Sequence, residues 1–439
     1  MREAKFSTSS ALRGRHWRPR QHQIHHQMNQ FQQPHLPIPE QLIVSEEGSF
    51  AYFTFTQRLP VIIERVIAEN NFSPSVVERL KTLAQDILHG LIRPLEDDKG
   101  ADVAAWATYV EPFIGKPWVD TPFYFAETYF YRRILEATQY FSSEAEHRID
   151  PFELQKRLSL ETVMDSVRTA SIQLKNLNSV YSHRDFSWKK TLTNLLYLDL
   201  WGNRADLSLH PQAAGKFDRE CLEIHREQRH VLLDDTNLVV NKISNFHKSR
   251  IDFLVDNAGF ELINDLFLGF FLLASHAAEI IYLHLKSHPT FVSDAMVKDV
   301  NYTLNFLAND SEKDVQDIAI SLQKYIADGR LRLIDHPFWT APLFFWKMPD
   351  LLRQDLAQSD LVFIKGDANY RRLIGDCHWP FTSIFQDIVC YFPAPLTVLR
   401  TLKSELIVGL QQNQVEEVSR EDSQWLTNGQ WGVIQLVAR

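Results

Sequence analysis

The sequence predicts an α/β protein, in which a helical N-terminal domain precedes an α/β/α sandwich built on a mostly parallel, doubly wound sheet. Apolar residues recur at helical spacing from about residue 41 to residue 200, for example at Leu80, Leu83 and Ile87. Beyond residue 200, short apolar runs alternate with helical stretches. Near-continuous apolar strands between helices are typical of a parallel sheet that is covered on both faces.

Length and composition divide the chain into three parts. With 439 residues, the chain is long enough for two structural units. We expect a disordered tail over 1–40, because this stretch is rich in Arg, Gln, His and Pro and has little to bury. The helical domain is expected over 41–200, and the α/β/α domain that carries the site over 201–439.

Charge and composition narrow the classes of function. The formal net charge is -9 and no long basic face follows the first 20 residues, so nucleic-acid binding is not expected. Three cysteines without CxxC spacing indicate free, buried thiols in a reducing compartment. The N-terminus has no apolar signal-peptide core. The uncharged stretch Leu266–Ala278 is too short to span a bilayer and is interpreted as a buried core helix, so we expect a cytoplasmic protein without a membrane span.

Three stretches of the first half predict individual helices. Ser73 followed by Pro74 is a good helix start, and apolar positions follow at helical spacing. A second amphipathic stretch runs from Leu158 to Leu174. Between them, Phe123–Arg133 is aromatic on several faces, which predicts a buried helix with one of its two arginines reaching a polar partner.

Six short apolar runs predict the strands of the sheet. Each is followed by polar residues and then by a helical pattern. The predicted strands are Ile251–Val255, Ile280–Leu285, Leu331–Ile334, Leu361–Ile364, Leu396–Leu399 and Val433–Val437. In an open parallel sheet, ligands bind outside the carboxyl ends of the strands, so the residues that follow these runs are the candidates for a functional site.

Polar and charged residues follow four of the predicted strands. They are Asp256 and Asn257 after the first, Asp294 after the second, Lys365–Arg371 after the fourth, and Arg400, Thr401 and Lys403 after the fifth. Asp and Asn oxygens suit Mg²⁺ or Mn²⁺. Cations beside such a metal would hold an anion, which is the usual arrangement for phosphoryl transfer. The sequence therefore predicts a metal site at Asp256, Asn257 and Asp294 that acts on a small phosphorylated substrate.

Other interpretations of these patterns stay open. Asp and Asn are also common turn formers and helix caps, and Ser293 makes capping a full explanation of Asp294 alone. His284 and His288 are four residues apart, but the following proline argues against a helical zinc pair. Serine-hydrolase, Walker and dinucleotide motifs do not occur in the sequence. The segment Trp201–Ser208, in which Gly202 could end a helix, could also face the site.

Several motifs, in this order, resemble the third subfamily of the damage-control phosphatase family, which is marked by an Arg-Thr-x-Lys motif. The resemblance covers about residue 45 to the C-terminus. The motifs are Ser49–Tyr52, Phe125–Ile134, Gly202–Ser208, Asp256–Glu261, Phe291–Asp294, His336–Trp339, Lys365–Arg371 and, for the marker motif, Arg400–Lys403.

The resemblance implies an α/β/α fold, a ligand set and an activity. A divalent metal, Mn²⁺, Mg²⁺, Co²⁺ or Ni²⁺, would be held by Asp256, Asn257 and Asp294. Substrate contacts are implied at the ligands Asp256 and Asn257, at Asp367, Ala368, Asn369, Tyr370 and Arg371, and at Lys403. A larger apolar residue is expected in place of Ala368, a departure that bears on substrate shape. The implied activity is hydrolysis of sugar phosphomonoesters such as fructose phosphates, which limits harmful metabolites.

On this basis we expect Asp256, Asp294 and Lys403 to be the catalytic residues, with Lys403 offsetting phosphate charge. One alternative is a methyltransferase that uses S-adenosylmethionine on protein carboxylates, an activity attached to one member of the resembled family. Glu261 and Asp294 would then contact that cofactor. Another alternative is a non-catalytic interaction protein with a decayed site, against which the complete set of charged residues argues.

Overall fold

The computed structural model describes residues 32–96, 98–142, 148–175, 184–202 and 228–438. Cys221, residues 203–208 and most of the predicted tail lie outside these ranges. The described part of the tail contacts the body of the protein, since the His35 amide donates to the carbonyl of Asp387 (2.8 Å).

Seven strands form one sheet in the described ranges. They are β1 Val231–Asp234, β2 Ser249–Leu254, β3 Ala278–Leu285, β4 Leu331–Asp335, β5 Leu361–Lys365, β6 Leu396–Thr401 and β7 Gly432–Val437. Their order is β1-β7-β6-β5-β2-β3-β4, and neighbouring strands are parallel except for β6 and β7. The six predicted strands are confirmed. The prediction misses β1, because this strand has only four residues and its apolar side chains stay half-buried.

The strand order reverses between β2 and β5. From β2, the chain continues through β3 and β4 on one side, whereas β5 and β6 lie on the other side. In doubly wound sheets such a reversal opens a crevice at the carboxyl ends of the two central strands. The segments that follow β2 and β5 therefore meet at the predicted site.

Two apolar cores cover the two faces of the sheet. On β5, Val362 and Ile364 join one core, whereas Phe363 joins the other. On β2, Leu254 joins the same core as Val362, and Phe253 joins the same core as Phe363. The rings of Phe253 and Phe363 are stacked, with centroids 4.7 Å apart. Burial on both faces is the arrangement that the near-continuous apolar strands predict.

Helices of the first half divide between these two cores. Those up to Ala137 contribute to the core that holds Val362, and those from 160 to 202 contribute to the core that holds Phe363. The boundary at residue 200 stays a prediction. The α-helices of this half are Phe50–Phe53, Leu59–Glu69, Pro74–His89, Val103–Val110, Phe123–Ala137, Glu153–Glu161, Met164–Lys175 and Phe186–Gly202.

These bounds refine the predicted helices. Ser73 caps its helix by accepting a hydrogen bond from the Val76 amide (3.4 Å). The predicted stretch Leu158–Leu174 is divided between two helices, with the break at Thr162 and Val163. The helix that begins at Phe186 is described as far as Gly202, and the predicted helix end at this glycine stays a prediction because the following residues lie outside the described ranges.

The α-helices of the second half are Thr236–Ser244, Phe260–Ala274, Val297–Ala308, Lys313–Ala327, Asp350–Leu356, Gly366–Ile374, Phe385–Val389 and Gln412–Glu421. The predicted core helix is confirmed within Phe260–Ala274, which is almost entirely buried, but Ala278 already belongs to β3. Among the described residues, no helix has the length and apolar character that crossing a membrane would need.

The aromatic helix Phe123–Ala137 is buried as predicted, and Arg132 has the expected polar partners. Its guanidinium binds Asp98 through two hydrogen bonds of 2.8 Å and Asp102 through two of 2.8 and 2.9 Å. Burial raises the pKa of Asp102, but His288, 3.5 Å away, and the hydrogen-bonded Arg132 guanidinium outweigh it and bring the pKa well below its usual range. These ion pairs hold the 98–102 loop on the buried helix.

Replacing this arginine should destabilise the fold. Arg132→Met should lower the free energy of unfolding by about 3–5 kcal/mol at neutral pH, because two largely buried carboxylates lose their cation. The contribution of Asp102 is present above its unfolded pKa of about 4 and is lost as the pH falls toward its lower folded pKa, so the effect of the substitution should shrink in acid. Denaturant titration measures both quantities.

Arg157→Met is the control, because the Arg157 side chain is 49% exposed in its pair with Glu153. A change within about 0.5 kcal/mol is expected for such a surface pair. Equal losses in the two variants would contradict the assignment of Arg132.

Candidate active site

A pocket lies at the crevice between β2 and β5. Its lining is mostly polar and comes from six separate segments of the chain. The described lining residues are the carboxylates Glu127, Asp256, Asp294 and Asp367, the cations Arg58, Arg371 and Lys403, and Phe50, Asn257, Phe291 and Ala368.

Asp256 and Asn257 follow the carboxyl end of β2, and both side chains are buried. The Asn257 amide donates to Asp256 Oδ2 (2.9 Å) and to Glu261 Oε2 (2.8 Å). From the other side, the Ser293 hydroxyl donates to Asn257 Oδ1 (2.6 Å). The Asn257 side chain is therefore fixed in one orientation beside the Asp256 carboxylate.

Asp294 reaches the same pocket through a strained loop. Phe291 and Val292 have φ values of 46° and 65°, a left-handed conformation that is costly for a β-branched residue. Main-chain hydrogen bonds of 2.7 and 2.8 Å join this loop to the segment after β2 and help to offset that cost. Asp294 is thereby held beside Asn257 in a short β-bridge, and Lys286 lies 2.8 Å from its Oδ2.

Gly366 brings the segment after β5 against Asp256. Its φ is +77°, which favours glycine. A Cβ atom at this position would lie 2.8 Å from the Cβ of Asp256 and would overlap its carboxylate. No larger residue fits without displacing Asp256.

The donor set at this point suits a hard divalent cation. Asp256 and Asp294 offer carboxylate oxygens and Asn257 offers an amide oxygen, a combination that suits Mg²⁺ or Mn²⁺. With three protein ligands, further coordination positions are left for substrate and water. The glycine at 366 supplies the space for the Asp256 carboxylate, so the residues present fit the predicted metal.

A second acidic cluster in the described part of the chain has spacing that could hold a metal. The ligand atoms of Asp150, Glu153 and Asp299 lie within 4.8 Å of one another. However, Lys156 contacts Asp150 and Asp299 at 3.2 and 2.9 Å, and Lys298 contacts Asp150 and Glu153. Two ammonium groups already neutralise this cluster, so it is a weaker metal candidate than the pocket.

Asp367 fixes the Arg-Thr-x-Lys segment. Its Oδ1 accepts hydrogen bonds from Arg400 Nε (2.8 Å), from the Lys403 amide (3.2 Å) and from the Ser404 hydroxyl (3.1 Å). Ala368 follows Asp367 on the pocket wall. The ion pair between Asp367 and Arg400 thus positions Lys403, whose buried side chain also lines the pocket.

Arg371 is held firmly by neighbouring acids. It donates two hydrogen bonds to Asp376 (2.7 and 3.0 Å) and one to Glu127 (2.6 Å), and its guanidinium lies 4.2 Å from the centre of the Phe123 ring. Burial lowers its pKa, but Asp376 and Glu127 raise it well above the usual value. Arg371 therefore supports the Glu127 carboxylate in the pocket wall.

Two residues of the predicted substrate segment lie behind the pocket instead of lining it. The Asn369 amide donates to the main-chain carbonyls of Leu254 (3.3 Å) and Lys365 (2.9 Å). The buried Tyr370 hydroxyl accepts a hydrogen bond from the Val408 amide (3.2 Å). Both side chains hold the Gly366–Ile374 helix against the strand ends, and their substrate contacts stay a prediction.

Lys365, which the sequence places among the strand-end cations, lies in a buried charge cluster outside the pocket. Its ammonium is 2.7 Å from Asp199, 3.2 Å from Asp265 and 3.4 Å from Glu261. Burial raises the pKa of Asp265 well above its usual range. Glu261 joins this cluster to the Asn257 amide and does not line the pocket.

The sequence analysis assigned no site role to five residues at the site, which are Phe50, Arg58, Glu127, Lys286 and Phe291. Phe50, Glu127 and Phe291 lie within motifs that carry the family resemblance. Lys286 follows β3 directly, so the rule of examining strand ends would have found it. Arg58 and Phe291 gave no such signal, because Arg58 comes from the N-terminal helices and Phe291 from the loop before Asp294.

Comparisons with known proteins point to one family. The family model described as Damage-control phosphatase ARMT1-like domain matches residues 54–418. The relative named Damage-control phosphatase ARMT1 from Danio rerio is 32% identical over 438 residues, covering 91% of this chain and 97% of the relative. The protein of that name from Bos taurus is 33% identical over 439 residues, covering 91% and 98%.

Among solved structures, a DUF89 family protein from Pyrococcus horikoshii is similar, with a TM-score of 0.47 and 14% sequence identity. The match covers 88% of this chain and 98% of that chain.

Gly366→Ala should disturb the site more than its backbone strain explains. Gly329 has a φ of +82° with nothing near a Cβ, so Gly329→Ala measures strain alone, about 1–2 kcal/mol. Gly366→Ala adds the overlap with Asp256, and we expect a larger loss of stability and a Mn²⁺ affinity reduced at least about tenfold, as for a displaced ligand. Denaturant titration and metal titration measure the two effects. Equal stability losses with unchanged Mn²⁺ affinity would contradict the role of Gly366.

Proposed function

The chain belongs to the ARMT1-like damage-control phosphatase family, and on this premise we propose that it hydrolyses phosphomonoesters of small sugars, such as fructose phosphates, with a divalent metal held by Asp256, Asn257 and Asp294. The family supports a phosphatase that acts on small metabolites. The metal dependence and the sugar are the parts that we add.

One observation carries the proposal. Asp256, Asn257, Asp294, Asp367 and Lys403 come from four separate strand ends, yet they all line one pocket. Hard oxygen ligands and a lysine in the same small pocket suit a phosphate dianion beside a metal.

Each part of the pocket has a task in this proposal. A bound divalent cation would supply Lewis-acid stabilisation of the phosphoryl charge at Asp256, Asn257 and Asp294. Lys403 offsets charge on the phosphate, and Asp367 keeps Lys403 in position. The Glu127 carboxylate, held by Arg371, is an acceptor for sugar hydroxyls.

The choice of metal and the location are also proposals. Mn²⁺, Mg²⁺, Co²⁺ and Ni²⁺ are the candidates, because all accept oxygen ligands in open coordination. We infer a cytoplasmic location from the cysteine usage. Cys377 is buried and donates to the Gly375 carbonyl (2.9 Å), and burial raises the pKa of its thiol to about 12, so it is an inert thiol.

The methyltransferase alternative gains no support from the placement of Glu261. Its carboxylate is buried between Asn257 and Lys365 and does not line the pocket. Calorimetry with S-adenosylmethionine distinguishes the alternatives, because a methyltransferase must bind this cofactor and release measurable heat.

Removing one ligand should abolish the metal-dependent reaction. Asp256→Asn keeps the shape of the side chain but removes its charge, so we expect phosphate release from sugar phosphates with Mn²⁺ to fall by roughly 100-fold or more. A screen over sugar phosphates, with each metal and with a chelator, measures the effect.

Asp317→Asn is the matched control, because Asp317 lies on the surface in a pair with Lys313 (2.7 Å). It should retain full activity. Full activity in Asp256→Asn would overturn the ligand assignment, and absence of turnover with any metal would favour the non-catalytic alternative.

A further inference from the structure

Arg58 lies on a rare element at the pocket. The chain is α-helical over Phe50–Phe53, turns as a π-helix over Thr54–Arg58 and continues as an α-helix over Leu59–Glu69. The Leu59 amide donates to the Thr54 carbonyl, which is the five-residue spacing of a π-turn. Such turns occur frequently at functional sites. The final residue of this one is a pocket-lining arginine.

Contacts within the same element hold the Arg58 side chain. Its Nη1 donates to the Thr54 hydroxyl (3.1 Å), and its guanidinium lies 5.2 Å from the centre of the Phe50 ring, which also lines the pocket. Phe50 in turn meets Phe123 edge to face, with centroids 6.4 Å apart. Arg58 is only 7% exposed, so its guanidinium is largely buried in the pocket wall.

The three described cations of the pocket have different surroundings. Arg371 gives its hydrogen bonds to Asp376 and Glu127, so it is mainly a structural group. Lys403 belongs to the segment after β6 and is positioned through Asp367. Arg58 comes from the N-terminal helices, a part of the chain that contributes no metal ligand to the proposed set. A phosphate in the pocket would thus meet cations from two distant parts of the sequence.

We infer that Arg58 is a phosphate-binding residue, which contacts the phosphoryl group of the substrate and the orthophosphate product. A planar guanidinium matches two phosphate oxygens at once, and its forked geometry is already set by Thr54 and Phe50. The inference rests on the proposed phosphatase function and adds a binding residue from the N-terminal helices to it.

Product inhibition tests the inference. Arg58→Gln should raise the inhibition constant of orthophosphate about 10- to 100-fold, the value of a charged hydrogen bond, and should raise KM for the sugar phosphate. Mn²⁺ affinity and Tm should stay close to the wild-type values, which a merely structural role would not predict. Arg58→Lys keeps the charge but not the forked guanidinium, so its inhibition constant should lie between those of the wild-type protein and Arg58→Gln. Thr54→Val removes the hydroxyl that accepts a hydrogen bond from Arg58, and it should raise the inhibition constant of orthophosphate a few-fold.

Arg65→Gln is the control, because Arg65 lies on the adjoining helix, pairs with Glu69 (2.9 Å) and does not line the pocket. Inhibition by orthophosphate within twofold of wild type in both Arg58 variants would overturn the inference. If Arg58→Gln does not fold, Arg58→Lys and Thr54→Val decide the outcome.

Failure of the proposed function is a separate result. If the wild-type protein hydrolyses no sugar phosphate, calorimetric titration with orthophosphate and Mn²⁺ replaces the inhibition assay. Loss of orthophosphate binding in Arg58→Gln, but not in Arg65→Gln, would still support the inference. Equal binding by both variants, or no binding by the wild-type protein, would overturn it.

Discussion

The close approach of Gly366 to the Asp256 carboxylate is the constraint on which the site depends. It joins the ends of β2 and β5, the two strands between which the order of the sheet reverses. Because Gly366 has no Cβ atom, the helix after β5 can start directly beside Asp256. That helix then carries Asp367 into the pocket, and Asp367 positions Lys403. The proposed metal ligands therefore lie next to Lys403, the proposed phosphate contact, because the glycine at position 366 leaves room for the Asp256 carboxylate.

Buried charged groups that are paired with one another stabilise this arrangement from the interior of the sheet. Asn257 is tied to Glu261, and Glu261 belongs to the cluster around Lys365. A buried charge without partners would cost several kcal/mol, so each acid of the cluster needs the lysine, a proton or a hydrogen bond. The Asn257 orientation is thus linked to the sheet interior. The strained loop at Phe291 and Val292 supplies the other support, by holding Asp294 against the same asparagine.

The sequence predicts the features that depend on the periodicity of apolar residues and on the polar residues after strand ends. Six strands, the buried aromatic helix and the meeting of the Asp256, Asp294 and Lys403 segments follow from them. Patterns do not encode where a side chain points within a strand end, so Lys365 faces the interior although it directly precedes Gly366. Arg58 escapes prediction because it comes from the N-terminal helices, and only tertiary packing brings it to the strand ends. The two-helix division of 153–175 likewise depends on local geometry at Thr162 and Val163.

Anomalous scattering from a crystal of the protein grown with Mn²⁺ tests the central claim most directly, because it locates the metal without reference to activity. Our account predicts one strong manganese peak bounded by oxygens of Asp256, Asn257 and Asp294. A peak instead at Asp150, Glu153 and Asp299, or no ordered peak in the pocket at saturating Mn²⁺, would contradict it.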